Sequence, residues 1–191
     1  MKSIISLLCL FVATQAMSAE TQNPVVKMRT TLGTIVLELN AEKAPITVAN
    51  FLQYVNEGFY DDTIFHRVIG NFMIQGGGFT EAYAEKPTHE KIINEADNGL
   101  NNAQGTIAMA RTPAPHSATS QFFINVVDNP FLNHRALPRR GWGYAVFGKV
   151  TQGMEVVDSI RNVETGRGGP FLRLENVPQT PVIIEKVSVI E

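Results

Sequence analysis

The stretch Ile64-Phe65-His66-Arg67-Val68-Ile69-Gly70-Asn71-Phe72-Met73-Ile74-Gln75-Gly76-Gly77-Gly78-Phe79 decides how the rest of the chain is read. Two strand-like runs flank Gly70-Asn71. Side chains alternate between the faces of a strand, so Arg67-Ile69 and Met73-Gln75 are expected opposite to His66-Val68 and Phe72-Ile74. On that pattern His66 faces away from Arg67 and is structural. The glycines after Gln75 allow the backbone to turn tightly or to lie close to another group. A second segment, Ser120-Gln121-Phe122-Phe123-Ile124-Asn125, again sets an amide beside aromatics and reads as a strand, with Phe122 its expected core residue. Together the two segments predict an apolar groove with a fixed cation in its wall.

Outward from this centre, residues 25–30 and 34–39 read as strands of a hairpin turning at Thr31-Leu32-Gly33. Ala44-Pro45 opens a helix whose Val48, Phe51, Leu52 and Val55 form one apolar stripe, and Gly58 ends it. Residues 80–100 are a long surface excursion, and 105–110, 120–126 and 144–150 are further strands. Residues 153–160 form a second short helix with Val156, Val157 and Ile160 inward. Residues 161–181 are read as mostly loop, and 182–190 as the last strand. Strands this closely spaced leave no room for βαβ crossovers, so the pattern predicts a mainly β fold, an antiparallel barrel with short helices over its open ends.

The chain has 191 residues, is 44% hydrophobic and carries a formal net charge of −2, which fits one globular domain with a full core. With 16 Lys and Arg against 18 Asp and Glu, nothing favours nucleic acid. Residues 1–19 read as a cleaved secretory signal: Lys2, an apolar run from Ile4 to Ala13, then Ala16-Met17-Ser18-Ala19. The run is shorter than the roughly 20 residues that span a bilayer, so no stable membrane association is expected after cleavage. Residues 20–191 would then be a single exported domain. The sole cysteine, Cys9, lies in the signal, so the mature chain has no disulfide, thiolate nucleophile or Cys-based metal site.

The segments Phe65-His66-Arg67-Val68-Ile69, Phe72-Met73-Ile74-Gln75-Gly76-Gly77, Ser120-Gln121-Phe122-Phe123-Ile124 and Val146-Phe147-Gly148-Lys149-Val150 resemble the signature of the cyclophilins, peptidyl-prolyl cis-trans isomerases. The likeness runs from about Val25 to Val189, and the exported, cysteine-free form looks most like a bacterial periplasmic cyclophilin. The resemblance implies an eight-stranded antiparallel closed barrel capped by two short helices, with the substrate groove on its outer face. It implies Arg67 as the catalytic arginine, and Phe72, Met73, Gln75, Gln121 and Phe123 as the proline pocket and its edge. Ala110 matches a groove residue. Arg111 and Thr112 stand where better-known members have Asn-Ala, Phe131 and Leu132 where they have Trp-Leu, and Tyr144 where they have His. Gly70-Asn71 replaces a Pro-Gly turn. Cyclosporin-like macrocycles are expected to bind weakly, because Phe131 lacks the indole N–H.

This residue set suits the reaction. An amide resists rotation by about 18–20 kcal/mol, and X–Pro bonds interconvert over tens to hundreds of seconds unaided. A guanidinium that keeps its proton, aimed at the twisted nitrogen from a dry wall, binds the transition state best. No cofactor or metal is called for. The expected substrates are proline-containing unfolded or loop segments of exported proteins, and the expected form is a monomer in the periplasm. Three other readings stand beside this one. A module could hold proline segments without isomerising them. A hydrolase could use His116 with Ser117 and Ser120, although no motif supplies its acid or oxyanion site. A ligand-carrying barrel of the lipocalin type would need an empty interior.

Overall fold

The computed structural model describes residues 22–135, 141–168 and 174–190; the expected signal, residues 1–19, lies outside them. In chain order the elements are β1 (Val25–Thr30), β2 (Gly33–Leu39), α1 (Pro45–Asn56), β3 (Thr63–Ile69), β4 (Met73–Thr80), β5 (Thr106–Met109), β6 (Phe122–Asn125), β7 (Val146–Gln152), α2 (Met154–Arg161), β8 (Thr165–Gly168), β9 (Leu174–Pro178) and β10 (Ile183–Val189). Eight of the strands close an antiparallel barrel in the order β1-β10-β3-β4-β6-β5-β7-β2. Closure leaves no barrel edge unpaired.

Alternation fills the interior. Val26 and Met28 of β1, Ile35, Leu37 and Leu39 of β2, and Ile184 and Val187 of β10 all point into one buried cluster. Phe65, Val68, Ile74, Ile107, Met109, Phe122, Ile124 and Phe147 complete it. The helix α1 plugs one opening: the Phe51 ring lies 5.0 Å from Tyr60, 5.8 Å from Phe122 and 5.2 Å from Phe147. The helix α2 contributes Val156, Val157 and Ile160. With its interior occupied by aromatic rings, the barrel has no room for a carried ligand, which removes the lipocalin-type reading.

The start of α1 is secured from a distance. Pro45 occupies its first turn and Ala44 has no capping side chain. The Glu95 carboxylate accepts instead from the Ile46 N–H (3.1 Å), the Thr47 N–H (2.8 Å) and the Thr47 hydroxyl (2.7 Å). An anion at a helix N-terminus both satisfies free N–H groups and meets the positive end of the helix dipole. The long excursion at 80–100 therefore carries a structural task.

The expectation that residues 161–181 are loop is corrected by β8 and β9, which pair antiparallel from Thr165↔Pro178 to Gly168↔Leu174 as a separate two-stranded sheet beside β3. Gly166, Gly168 and Pro178 hid these strands. Glycine and proline read as punctuation, yet a short half-exposed ribbon tolerates them.

Candidate active site

A second apolar cluster lies outside the barrel, on the back of β4, β5 and β6. Consecutive residues divide between the two: Ile74, Ile107, Phe122 and Ile124 go in, while Met73, Ala108 and Phe123 go out. This outer cluster floors a cleft of about 220 Å³. Met73, Phe123 and Leu132 are its most buried members, Phe72, Ala110 and Tyr144 form its sides, and Arg67, Gln75 and Arg111 are its polar groups.

Arg67 reaches the cleft because of a β-bulge. Phe65 pairs with Gly76 and Arg67 pairs with Gln75, two steps on β3 against one on β4. Phe65 and Val68 both enter the inner core, so the two residues between them, His66 and Arg67, are both left outside it. Strict alternation would have sent Arg67 inward with Phe65. The expectation that His66 opposes Arg67 is thereby corrected, since a bulge re-aims a side chain at the cost of one unpaired residue. His66 is nonetheless buried, its ring edge-on to Phe79 at 4.7 Å between centroids, and its Nδ1 has no hydrogen-bond partner among the described residues. Burial, then the neighbouring Arg67 charge, lower its pKa from 6.5 to about 4.

The guanidinium is held by an amide relay. Arg67 Nη1 donates to Gln75 Oε1 (3.3 Å), and Gln75 Nε2 donates to Gln121 Oε1 (3.0 Å). The cross-strand pairs Arg67↔Gln75 and Gln75↔Phe123 set Arg67, Gln75 and Phe123 in a row across β3, β4 and β6, with Gln121 two residues before Phe123. Arg67 keeps further N–H groups for an acceptor in the cleft. Gln121 stands behind Gln75 and borders a neighbouring polar cleft with Thr112 and Ser117 rather than the apolar one.

Around the rim, Arg111 Nε donates to Gly143 O (2.9 Å), its Nη1 donates to Thr112 O (2.9 Å), and its Cζ lies 4.4 Å above the Tyr144 ring. Tyr144 in turn meets Phe123 edge-on at 5.6 Å. Phe131 is 61% exposed and stacks on Phe72 at 5.6 Å, so it extends the rim without lining the cleft. Phe72 shares the outer side with Met73, contrary to the alternation expected of it, because it lies in the turn before β4 begins. Ser117 closes the loop after Arg111: its Oγ accepts from the Thr112 N–H (3.0 Å) and donates to Ala114 O (2.7 Å). His116 Nδ1 accepts from the Asn94 N–H, so the hydrolase arrangement is not assembled.

Sequence reading missed an asparagine lattice beneath the cleft. Asn129 Nδ2 donates to Phe72 O and to Asn125 Oδ1, both at 2.8 Å, and Asn125 Nδ2 donates to Asn102 Oδ1 (3.2 Å). All three are at most 2% exposed, and the Asn129 carbonyl accepts from the Leu132 N–H (3.0 Å). The lattice ties Phe72 and Leu132 to one framework. The only trace in the sequence is the spacing of Asn125 and Asn129, four residues apart.

Residues 25–189 match the family model for cyclophilin-type peptidyl-prolyl cis-trans isomerases. The chain is a cyclophilin. It is 58% identical over 166 residues to peptidyl-prolyl cis-trans isomerase B of Escherichia coli, covering 87% of this chain and 99% of that protein. It is 50% identical over 189 residues to peptidyl-prolyl cis-trans isomerase A of Dickeya dadantii, covering 99% and 96%. Among solved structures, a Cryptosporidium parvum cyclophilin crystallised in the presence of the dipeptide Ala-Pro superposes with a TM-score of 0.70 at 25% identity, covering 87% of this chain and 99% of that one. This cyclophilin is therefore an isomerase of X–Pro peptide bonds, with the family's eight-stranded barrel and two helices. The holding-module reading is set aside with that assignment.

Proposed function

We propose that this enzyme speeds X–Pro rotation in exported proteins by donating a hydrogen bond from Arg67 to the twisted amide, with the prolyl ring seated on Met73, Phe123 and Leu132. The observation that carries the reading is the Arg67 guanidinium in the wall of an apolar cleft, braced by Gln75. Twisting an X–Pro bond ends the resonance that withdraws the nitrogen lone pair, so the nitrogen becomes an acceptor only in the transition state. A donor aimed there prefers the twisted form to either planar isomer, which is the condition for acceleration. The apolar floor excludes water and strengthens that bond. No bond breaks and no proton needs to leave, which suits a group that stays charged at any working pH.

Phe72, Gln75, Ala110, Arg111 and Tyr144 would position the flanking chain, with Gln121 acting through Gln75 and Phe131 at the rim. The exposed Phe131 offers a ring without an N–H donor, which supports weak binding of cyclosporin-like macrocycles. Export to the periplasm rests on the composition of residues 1–19. The substrates would then be proline-containing segments of unfolded or loop regions in exported proteins, met by a monomer.

Arg67→Ala tests the mechanism. Each tenfold in rate is about 1.4 kcal/mol of preferential stabilisation. Losing a charged hydrogen bond in a dry site should cost about 10²-fold or more in kcat/KM on a short proline peptide, read by NMR exchange spectroscopy, with an unchanged far-UV spectrum. Wild-type turnover in the folded variant would remove Arg67 from the reaction.

A further inference from the structure

We propose that Gly78 is a positioning residue for Arg67, acting through Gln121 and Gln75; this rests on the arginine reading above. The glycine run stays within β4, and its members do different work. Gly77 has φ +79°, and a Cβ there would stand 2.7 Å from the Phe122 ring and 2.9 Å from Tyr60. A Cβ at Gly76 would stand 3.0 Å from the Ile64 carbonyl oxygen. Both serve the packing of the barrel.

Gly78 differs from both. Its φ lies outside the left-handed region, so its own backbone does not require glycine. The three nearest atoms that a Cβ there would meet all belong to Gln121, at 2.5 Å for Cγ, 2.7 Å for Cδ and 2.7 Å for Nε2. Carbon atoms in contact prefer roughly 3.5–4.0 Å, so the Gln121 side chain rests directly on the Gly78 backbone and fits only while Cβ is absent. The Gln121 main chain cannot give way, since its carbonyl accepts from the Ala110 N–H (2.9 Å). Its side chain is the part that would move, and that side chain accepts the Gln75 hydrogen bond. Displacing it frees the Gln75 amide to rotate, and the Gln75 oxygen is the group that fixes the Arg67 fork. The seat thus lies two hydrogen bonds from the guanidinium.

The test is Gly78→Ala in the full mature chain, alone and combined with Gln121→Ala. The expected result is an unchanged thermal midpoint and about a fivefold fall in kcat with KM unmoved, the worth of one hydrogen bond withdrawn from orientation. The side-chain amide resonances of Gln121 and Gln75 and the Arg67 Nε–H should shift in the ¹⁵N spectrum. In the Gln121→Ala background the glycine change should add nothing, because the relay is already cut. Wild-type kcat, unmoved amide resonances, or losses that multiply in the double variant would each overturn the proposal. If instead Arg67→Ala kept full turnover, the arginine reading would fail, and the side-chain resonances would still decide whether Gly78 seats the relay.

Discussion

Acid should weaken this protein through His66. In the folded state its imidazole is buried outside the barrel, beside the Arg67 charge, with its pKa lowered to about 4; only the Ile64 backbone pulls the other way. In the unfolded chain it titrates near 6.5. Between these values the unfolded state binds the extra proton, so stability rises with pH across that window. The contribution is complete above pH 6.5, falls as the pH drops through the window, and is lost below about 4. A separation of about 2.5 units at 1.36 kcal/mol each gives about 3 kcal/mol. That is a large share of the 5–15 kcal/mol typical of a domain. The perturbation that isolates it is His66→Leu, which keeps the volume and removes both the proton site and the unpartnered Nδ1. Urea unfolding at pH 7, 5.5 and 4 should show the wild type losing about 3 kcal/mol more than the variant over that range. Parallel losses in the two proteins, or a folded His66 that titrates above pH 6 by NMR, would refute the reasoning.

Two further outcomes concern the supports of the fold and the cleft. Glu95→Ala strips the start of α1 of its distant cap and should cost about 1–2 kcal/mol in chemical denaturation; no loss would mean that water replaces the carboxylate at no cost. Asn129→Ala removes one buried and one part-buried hydrogen bond and should cost about 2–3 kcal/mol. It should also broaden the Phe72 and Leu132 resonances, whereas sharp, unshifted signals would show that the lattice does not hold the cleft.

The barrel was legible because its strands alternate cleanly and its turns are marked: β1 and β2 turn at Thr31-Leu32 with Gly33 next, and α1 begins at Pro45 with its stripe on Val48, Phe51 and Val55. The cleft-lining side chains were legible through the family motifs and two amide-aromatic segments. What could not be read depends on pairing between distant segments. The bulge at His66 exists only in the register of β3 against β4, so strict alternation could not place His66 and Arg67. The Glu95 cap spans 48 residues of sequence, and Asn102 meets Asn125 only once β5 and β6 have paired. Phe72 escaped the alternation rule by lying one residue before its strand. The use of Gly78 was hidden for a different reason. The sequence marks where glycine occurs, but the neighbour that needs the space lies 43 residues on, at Gln121.

The filled interior and the outer cleft belong to one design. A rotation that breaks no bond offers little covalent chemistry to assist, so the twisted amide must be distinguished from the planar one by where a donor stands. That demands a wall that does not yield. Here the wall is a single sheet whose successive residues face two clusters: Ile74 and Phe122 join the inner core, where Phe122 meets the Phe51 ring of α1, while Met73 and Phe123 support the cleft. Close-packed interiors transmit strain rather than absorb it, so the plug behind the sheet stiffens the surface in front. A hollow barrel would let Phe123 sink, and its cross-strand neighbours Gln75 and Arg67 drift with it. The bulge then accounts for the remaining step. It turns the guanidinium of Arg67 outward at the place where β3 and β4 present Arg67 and Gln75 side by side, so a packed sheet carries a charged group at the wall of the cleft.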